Sequence, residues 1–264
     1  MADLTVPTLH AEHLFTVAGV PITNSVIGTW IALAILLVLS FVAVRRPALV
    51  PAGVQNVFEA GIDQFRGLTR DVMEDQRQAD RFLPLVMGIF LFVLVTNWVG
   101  LLPGFGTIGF FHEGNHEEFI PYLRAGSSDL NLTLALAAVS FLAAQAVGII
   151  RIGFLRYTGK FVNLSNLYSR PFSIKKLLLF VPNFLLGLIE LISELAKLVS
   201  LSFRLFGNIY AGEVLLVVFG FLLPLYIPLS GPFYMLEFFV GLIQAFVFAM
   251  LTIVFIKIAT IEPH

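Results

Sequence analysis

The chain of 264 residues contains no cysteine, which excludes disulfides, thiolate nucleophiles and cysteine-bound metal. Charge is scarce as well. Lys, Arg, Asp and Glu make up 12% of the residues, where a soluble domain carries about a quarter. The formal net charge is −1, and no basic cluster with interleaved aromatics marks a nucleic-acid partner. No Lys or Arg precedes Asn24. The basic n-region of a secretory signal is therefore missing, and the first apolar run is expected to remain as a membrane helix. There is no internal repeat, no low-complexity segment and no G-x-x-x-x-G-K-S/T loop, so nucleotide binding is not expected. The sequence calls for no cofactor and no metal.

What is present is apolar. Hydrophobic residues make up 58% of the chain and the mean hydropathy is +0.92, the composition of an integral membrane protein. A hydrocarbon core of about 30 Å takes about 20 residues to span. Five apolar stretches reach that length, at 24–44, 82–102, 130–150, 182–223 and 232–258. Pro224, Pro228, Gly231 and Pro232 mark the turn between the last two. The predicted fold is an all-α integral membrane protein, one membrane domain over 1–264, with five transmembrane helices behind a tail of residues 1–23.

The basic residues set an orientation. The first connection carries Arg45, Arg46, Arg66, Arg70, Arg77 and Arg81, and the third carries Arg151, Arg156, Lys160, Arg170, Lys175 and Lys176. The second has Arg124 alone. An excess of Lys and Arg on the inner side then places the N-terminus outside and the C-terminus in the cytoplasm. The first connection also hides a helix at 52–75. Val54, Val57, Phe58, Ile62, Phe65, Leu68 and Val72 recur at helical spacing, with Gln55, Glu59, Asp63, Arg66 and Arg70 on the other face. It is expected to lie on the inner membrane surface as a brace.

The fourth stretch is unusual in length and content. About 40 residues at about 1.5 Å each extend about 60 Å, twice the hydrocarbon thickness, so it is expected to tilt steeply, kink or run partly along the interface. It carries Glu190, Ser193, Glu194, Lys197, Arg204, Asn208 and Glu213. An ionisable residue at the centre of a membrane helix costs about 2.5–3.5 kcal/mol on insertion scales and normally marks an ion path or a partner. At about 100° per residue, Glu190, Ser193 or Glu194, Lys197, Arg204 and Asn208 share one stripe, and Glu213 falls roughly opposite Arg204. The last stretch answers with Glu237 and Gln244 on one face, thinned by Gly241 between them. The order suggests two polar entrances, one from each side, separated by a cation that does not deprotonate. Asn208, Ser193 or Ser200 taken singly reads equally well as an interhelical hydrogen bond, and Lys197 as a cation snorkelling to the interface. Glu190, the nearest inner acid on the stripe, is fourteen residues from Arg204, about 21 Å along the axis. An unpaired buried cation is unfavourable, so the partner of Arg204 is expected on another chain.

These residues resemble a known family. "LSFRLFGNIYAGE", "IQAF" in the last stretch, "TNWVGLLPG" ending the second and "SSDLNLTLAL" opening the third are similar, in order and spacing, to the a subunit of rotary ATP synthases, of bacterial rather than organellar type. The resemblance runs from about Thr23 to the end. It implies a stator beside a rotating ring of small proteolipid c subunits, joined to peripheral-stalk b subunits and the rest of the complex in the inner cell membrane. It implies two proton half-channels, with the family's essential arginine at Arg204 meeting the ring carboxylate. The outward half-channel falls on Asn208, Glu213, Glu237 and Gln244, and the inward group on Glu190, with Ser193 and Ser200 weaker. Some members pair an acid with a histidine at the positions of Glu213 and Glu237. Here both are Glu, and two adjacent carboxyls are expected to share one proton. The last two helices are expected to form a long, steeply tilted hairpin that follows the ring.

The loop "FHEGNHEEF" contains His112-Glu113-Gly114-Asn115-His116, a formal H-E-x-x-H. Gly-Asn at its centre is a poor helix former, so it reads as a solvated acidic loop. Glu113, Glu117 and Glu118 would gather protons at the outer entrance. A channel or secondary transporter not coupled to a rotor is the alternative. A transporter usually shows paired repeats, and a cation pore would not hold a lone Arg.

Overall fold

A computed structural model describes residues 8, 10–45, 53–102, 104–112, 118–154, 157, 174–222 and 227–261. Six α-helices occur among these residues: α1 Asn24–Val44, α2 Val54–Met73, α3 Gln76–Val99, α4 Leu130–Ile152, α5 Ile174–Leu222 and α6 Ile227–Ala259. Four of them are long and apolar enough to cross a membrane: α1, α3, α4 and Gly231–Ala259 of α6. The bundle is all-α, as composition predicts. Two small hairpins at one end are additions that the hydropathy pattern does not reveal. Strands β1 His13–Val17 and β2 Val20–Thr23 pair antiparallel, and so do β3 Gly109–His112 and β4 Glu118–Pro121. The β1–β2 turn places Ala18 at φ 50° and Gly19 at φ 83°, the left-handed pair that matches strand twist in a two-residue turn.

Local chemistry sets the helix ends. Asp75 accepts the Arg77 N–H at 2.9 Å and opens α3, while Asp129 accepts the Asn131 N–H at 2.9 Å and opens α4, each satisfying a donor that the helix leaves free. The Asp75 cap starts α3 earlier than the apolar run begins, and the helix ends at Val99, where short-range bonds take over. Helix α6 begins at Ile227, so Pro228, Gly231 and Pro232 lie in its opening turns rather than in a loop. Pro228 falls in the first turn, where its missing N–H has no partner to lose, whereas Pro232 lies inside the helix and removes one intrahelical bond. The remaining turn residue, Pro224, lies outside the described residues, as do the basic residues Arg46, Arg156, Lys160 and Arg170.

Helix α6 sits at the centre, packed on α2, α3, α4 and α5. Ala245 and Ala249 of α6, Ala137 and Ala144 of α4 are all buried; small side chains let membrane helices approach closely. Around them lie two apolar clusters. Phe65, Met73, Leu83, Val86, Ile253 and Ile256 join α2, α3 and α6. Val93, Leu201, Leu205 and Phe248 join α3, α5 and α6. Helix α2 is the amphipathic one, and it buries Phe65, Thr69 and Met73. Its end is fastened by α6, where Lys257 Nζ donates to the Met73 carbonyl at 3.0 Å. At 49 residues, α5 extends about 74 Å.

Candidate functional site

The end of the bundle that bears the hairpins holds a cavity of about 540 Å³. Its walls come from the N-terminal segment (Glu12), the end of α3 (Asn97), the loop before α4 (Arg124), α5 (Glu213) and α6 (Glu237). Three carboxylates and a guanidinium therefore converge from segments far apart in sequence.

Arg124 organises this end. Its side chain is 2% exposed. Nε donates to Ser128 Oγ at 3.1 Å and Nη1 to the His10 carbonyl at 3.0 Å. Nη2 and Nε lie 3.3 and 3.4 Å from Glu213 Oε2. The loop is pressed against α1, since a Cβ on Gly28 would sit 2.0 Å from the Arg124 carbonyl oxygen. Ser25 donates to Asp129 at 2.6 Å and Asn24 Nδ2 to the Pro121 carbonyl at 3.2 Å, which fixes the loop on both sides. Sequence reasoning missed Arg124 as a functional group. The signal available was that it is the one Lys or Arg of the second connection, three residues before "SSDLNLTLAL" begins.

Glu213 and Glu237 are brought to the same cavity in different settings. Glu213 faces a permanent cation, the Arg124 guanidinium. Glu237 is 7% exposed and rests on the backbone of α5 at Gly212, where a Cβ would come within 2.0 Å of Oε2. The tip of α3 fastens α6 on either side of Glu237's next turn. Trp98 Nε1 donates to the Phe238 carbonyl at 3.0 Å, and Asn97 Nδ2 to the Gly241 carbonyl at 3.1 Å. The Trp98 and Phe238 rings stack at 4.0 Å.

Further along the two helices, Asn208 Nδ2 donates to Gln244 Oε1 at 2.8 Å and bridges α5 to α6. Gln244 Nε2 and Asn97 Oδ1 are buried without a partner among the described residues. Arg204 lies one turn before Asn208. It is exposed, as are the apolar side chains Val199 and Phe203 before it on α5, and among the described residues it makes no hydrogen bond or ion pair. Ser193 and Ser200 lie on the exposed surface as well, while Glu190 is partly buried and Glu194 buried. The predicted stripe thus divides: Ser193 and Arg204 point away from the bundle, and Glu194 points into it.

Residues 113–117, which carry most of the H-E-x-x-H stretch, lie outside the described residues. Among those described, no group of three His, Asp or Glu is placed to hold a metal ion.

Comparison with known proteins gives a uniform result. A family model described as ATP synthase A chain matches residues 26–257. ATP synthase subunit a of Trichlorobacter lovleyi is 33% identical over 253 residues, covering 96% of this chain and 94% of that one. The subunit a of Campylobacter jejuni subsp. jejuni serotype O:6 is 34% identical over 232 residues, at 87% and 88% coverage. That of Moorella thermoacetica is 31% identical over 246 residues, at 92% and 94%.

Proposed function

Because this chain belongs to the ATP synthase A chain family, we propose that its cavity and its exposed arginine are the two working parts of a stator that turns proton flow into rotation. The chain is a membrane-sector, proton-translocating subunit. In the proposed arrangement it is a single domain of five membrane crossings, α5 included, with α2 along the inner surface. The N-terminus lies outside the inner cell membrane and the C-terminus in the cytoplasm. The hairpin end then faces outward, and the cavity is the intake.

The observation that carries this reading is Arg204: a permanent charge, exposed among apolar side chains, with no partner of its own among the described residues. A cation so placed in a membrane is stabilised by an anion from a neighbouring chain. A carboxylate on each subunit of a proteolipid ring meets that need. At 4 Å two unit charges attract by about 4 kcal/mol at an effective dielectric of 20, which favours the ionised carboxylate beside Arg204 over the protonated one. A protonated ring carboxyl feels no such pull and moves on into lipid. Peripheral-stalk b subunits and the remaining complex hold the stator against that motion.

Protons reach the ring from the cavity. With Glu213 committed to Arg124, Glu237 is the carboxyl free to take up and release a proton, so the two acids divide the work rather than share one proton. Gln244 and Asn208 continue the polar path from Glu237 toward Arg204. Gln244 Nε2 and Asn97 Oδ1, left over on this seam, are suited to hold hydrating water. On the far side of Arg204, Glu190, Ser193 and Ser200 lead to the cytoplasm.

The test uses membrane vesicles holding the whole complex. Arg204→Gln is expected to abolish ATP-driven acidification with the complex still assembled, and to raise the passive proton leak. Retained pumping would refute the role given to Arg204.

A further inference from the structure

The cavity at the hairpin end is far larger than a file of water needs. At about 540 Å³ it compares with about 30 Å³ for one water in the liquid, and it falls within the range of about 300–1,000 Å³ typical of small-molecule sites. Its walls are largely apolar and aromatic, with Leu101, Phe105, Phe119, Leu216, Val217 and Tyr234 among them. Its charges do not balance. Arg124 is the one Lys, Arg or His among the described lining residues, and it is already engaged by Glu213, Ser128 and the His10 carbonyl. Glu12 accepts from Thr8 Oγ1 at 3.1 Å and from Asn24 Nδ2 at 3.4 Å, both neutral donors. Glu237 is 7% exposed and makes no hydrogen bond or ion pair among the described residues. Asn97 is 3% exposed. Its Nδ2 is committed to the Gly241 carbonyl, one turn beyond Glu237, which leaves its buried Oδ1 as an acceptor without a donor among the described residues. Two enclosed acceptors, one of them a carboxyl, therefore line an apolar chamber that offers them no cation.

We propose that this cavity is a binding site for a small organic monoamine with an apolar or aromatic body, held as its ammonium ion by Glu237. The site stands on the geometry of the cavity; its consequence, a block of pumping, rests on the stator reading above.

An ammonium group has donors and no acceptor, which is the complement of a carboxylate and an amide oxygen. A charge-assisted hydrogen bond to Glu237 is the strong contact, and Asn97 Oδ1 supplies a second acceptor. The apolar body lies against Leu101, Leu216 and Val217, where its burial is favourable. The rings of Phe105, Phe119 and Tyr234 add faces that attract a cation. The amine has two ways in. As an ammonium ion it meets the Glu237 carboxylate directly. As the neutral base it meets the carboxylic acid: the Glu237 O–H bond breaks, an N–H bond forms on the amine, and the same ion pair results. Other ligand chemistries fit less well. A phosphate, free or on a lipid headgroup, would face Glu12 and Glu237 with the single guanidinium already engaged. For a metal ion, no group of three His, Asp or Glu is placed to hold one among the described residues. While the amine is bound, Glu237 cannot take up or release a proton, so the bound amine competes with the proton for the intake.

The experiment uses the whole complex in nanodiscs, where there is no pH gradient for an amine to collapse, with empty nanodiscs as the blank. The probes are naphthylmethylamine and the uncharged naphthylmethanol, which share one ring system. Calorimetric titration gives Kd, and ATP hydrolysis is recorded on the same preparation. A hydrogen bond to an ionised group is worth at least about tenfold in an equilibrium constant. The amine is therefore expected to bind at least about tenfold more tightly than the alcohol, and Glu237→Gln to remove that preference. Leu216→Trp, which fills the chamber, is expected to weaken both probes. Equal binding of the two probes to wild type, or an unchanged preference in Glu237→Gln, overturns the proposal. If Glu237→Gln prevents assembly, Leu216→Trp decides: wild-type binding there overturns it. Amine binding that slows ATP hydrolysis supports both the site and its consequence. Amine binding that leaves hydrolysis at its full rate upholds the site and overturns the intake reading on which the consequence rests.

Discussion

Adding one methyl group at Gly212 is expected to separate the function proposed for the cavity from the stability of the fold. A Cβ there would lie 2.0, 2.1 and 2.3 Å from Oε2, Cδ and Oε1 of Glu237. Non-bonded carbon contacts settle at about 3.5–4.0 Å, so the carboxyl must withdraw by more than about 1 Å. The obstructing atoms are the end of a flexible side chain, not backbone, and an off-rotamer χ angle costs about 0.5–1.5 kcal/mol. Against this, replacing a helix-interior Gly by Ala gains about 0.8–1.0 kcal/mol of helix propensity. The two terms nearly cancel, so Gly212→Ala is expected to assemble to wild-type levels and to melt at an unchanged temperature. Pumping responds differently, because a misplacement of about 1 Å in a reacting group can lower a rate about 100-fold. The assay is the initial rate of ATP-driven acidification, normalised to assembled complex, with thermal unfolding of the same preparation. Wild-type pumping by Gly212→Ala would refute the assignment of Glu237 as the mobile proton carrier. A loss of assembly would refute the cancellation.

Other outcomes follow from the same geometry. Arg124→Met leaves the Glu213 carboxylate without its cation and the His10 carbonyl and Ser128 hydroxyl without their donor; breaking such a buried pair costs about 3–5 kcal/mol. Thermal unfolding should show most of that loss, and Arg124→Met with Glu213→Leu should recover part of it. At the opposite end, the Gln78 side chain and the Arg77 N–H hold the Asp75 carboxyl below its ordinary 3.8. Its folded-state value is depressed, so its contribution is present above 3.8 and fades as pH falls through the lower folded value. Asp75→Asn should therefore weaken α3 slightly near neutrality and match wild type in strong acid, as read by pH-dependent unfolding.

The helices were legible because hydropathy and periodicity are local. Arg204, Asn208, Glu213, Glu237 and Gln244 stood out because each is a polar residue in an apolar run. The structure joins Asn208 to Gln244 and lines one cavity with both acids. The helical wheel fell short at Glu194. It groups residues on one helix but cannot say which neighbour covers them, and Gln145, which donates to Glu194, lies 49 positions away. Arg124 was hidden for a similar reason. A loop residue has no period, and its partners His10 and Glu213 are set by the meeting of the N-terminus with α5. Gly212 is the seat of the Glu237 carboxyl, a contact that depends on how α5 and α6 meet. The β1–β2 hairpin has Ala-Gly at its turn in place of the stronger Asn-Gly signal, so nothing announced it.

The ties of Arg124 span 114 residues to His10 and 89 to Glu213. During synthesis, then, the loop before α4 is made long before the helix that neutralises it. Until α5 arrives, this buried guanidinium has no carboxylate from that helix, and until α6 arrives the cavity lacks the wall that carries Glu237. A half-made chain therefore holds neither the finished cavity nor Glu237. On the proposed reading, the order of the polypeptide defers the proton path until the last helix is inserted.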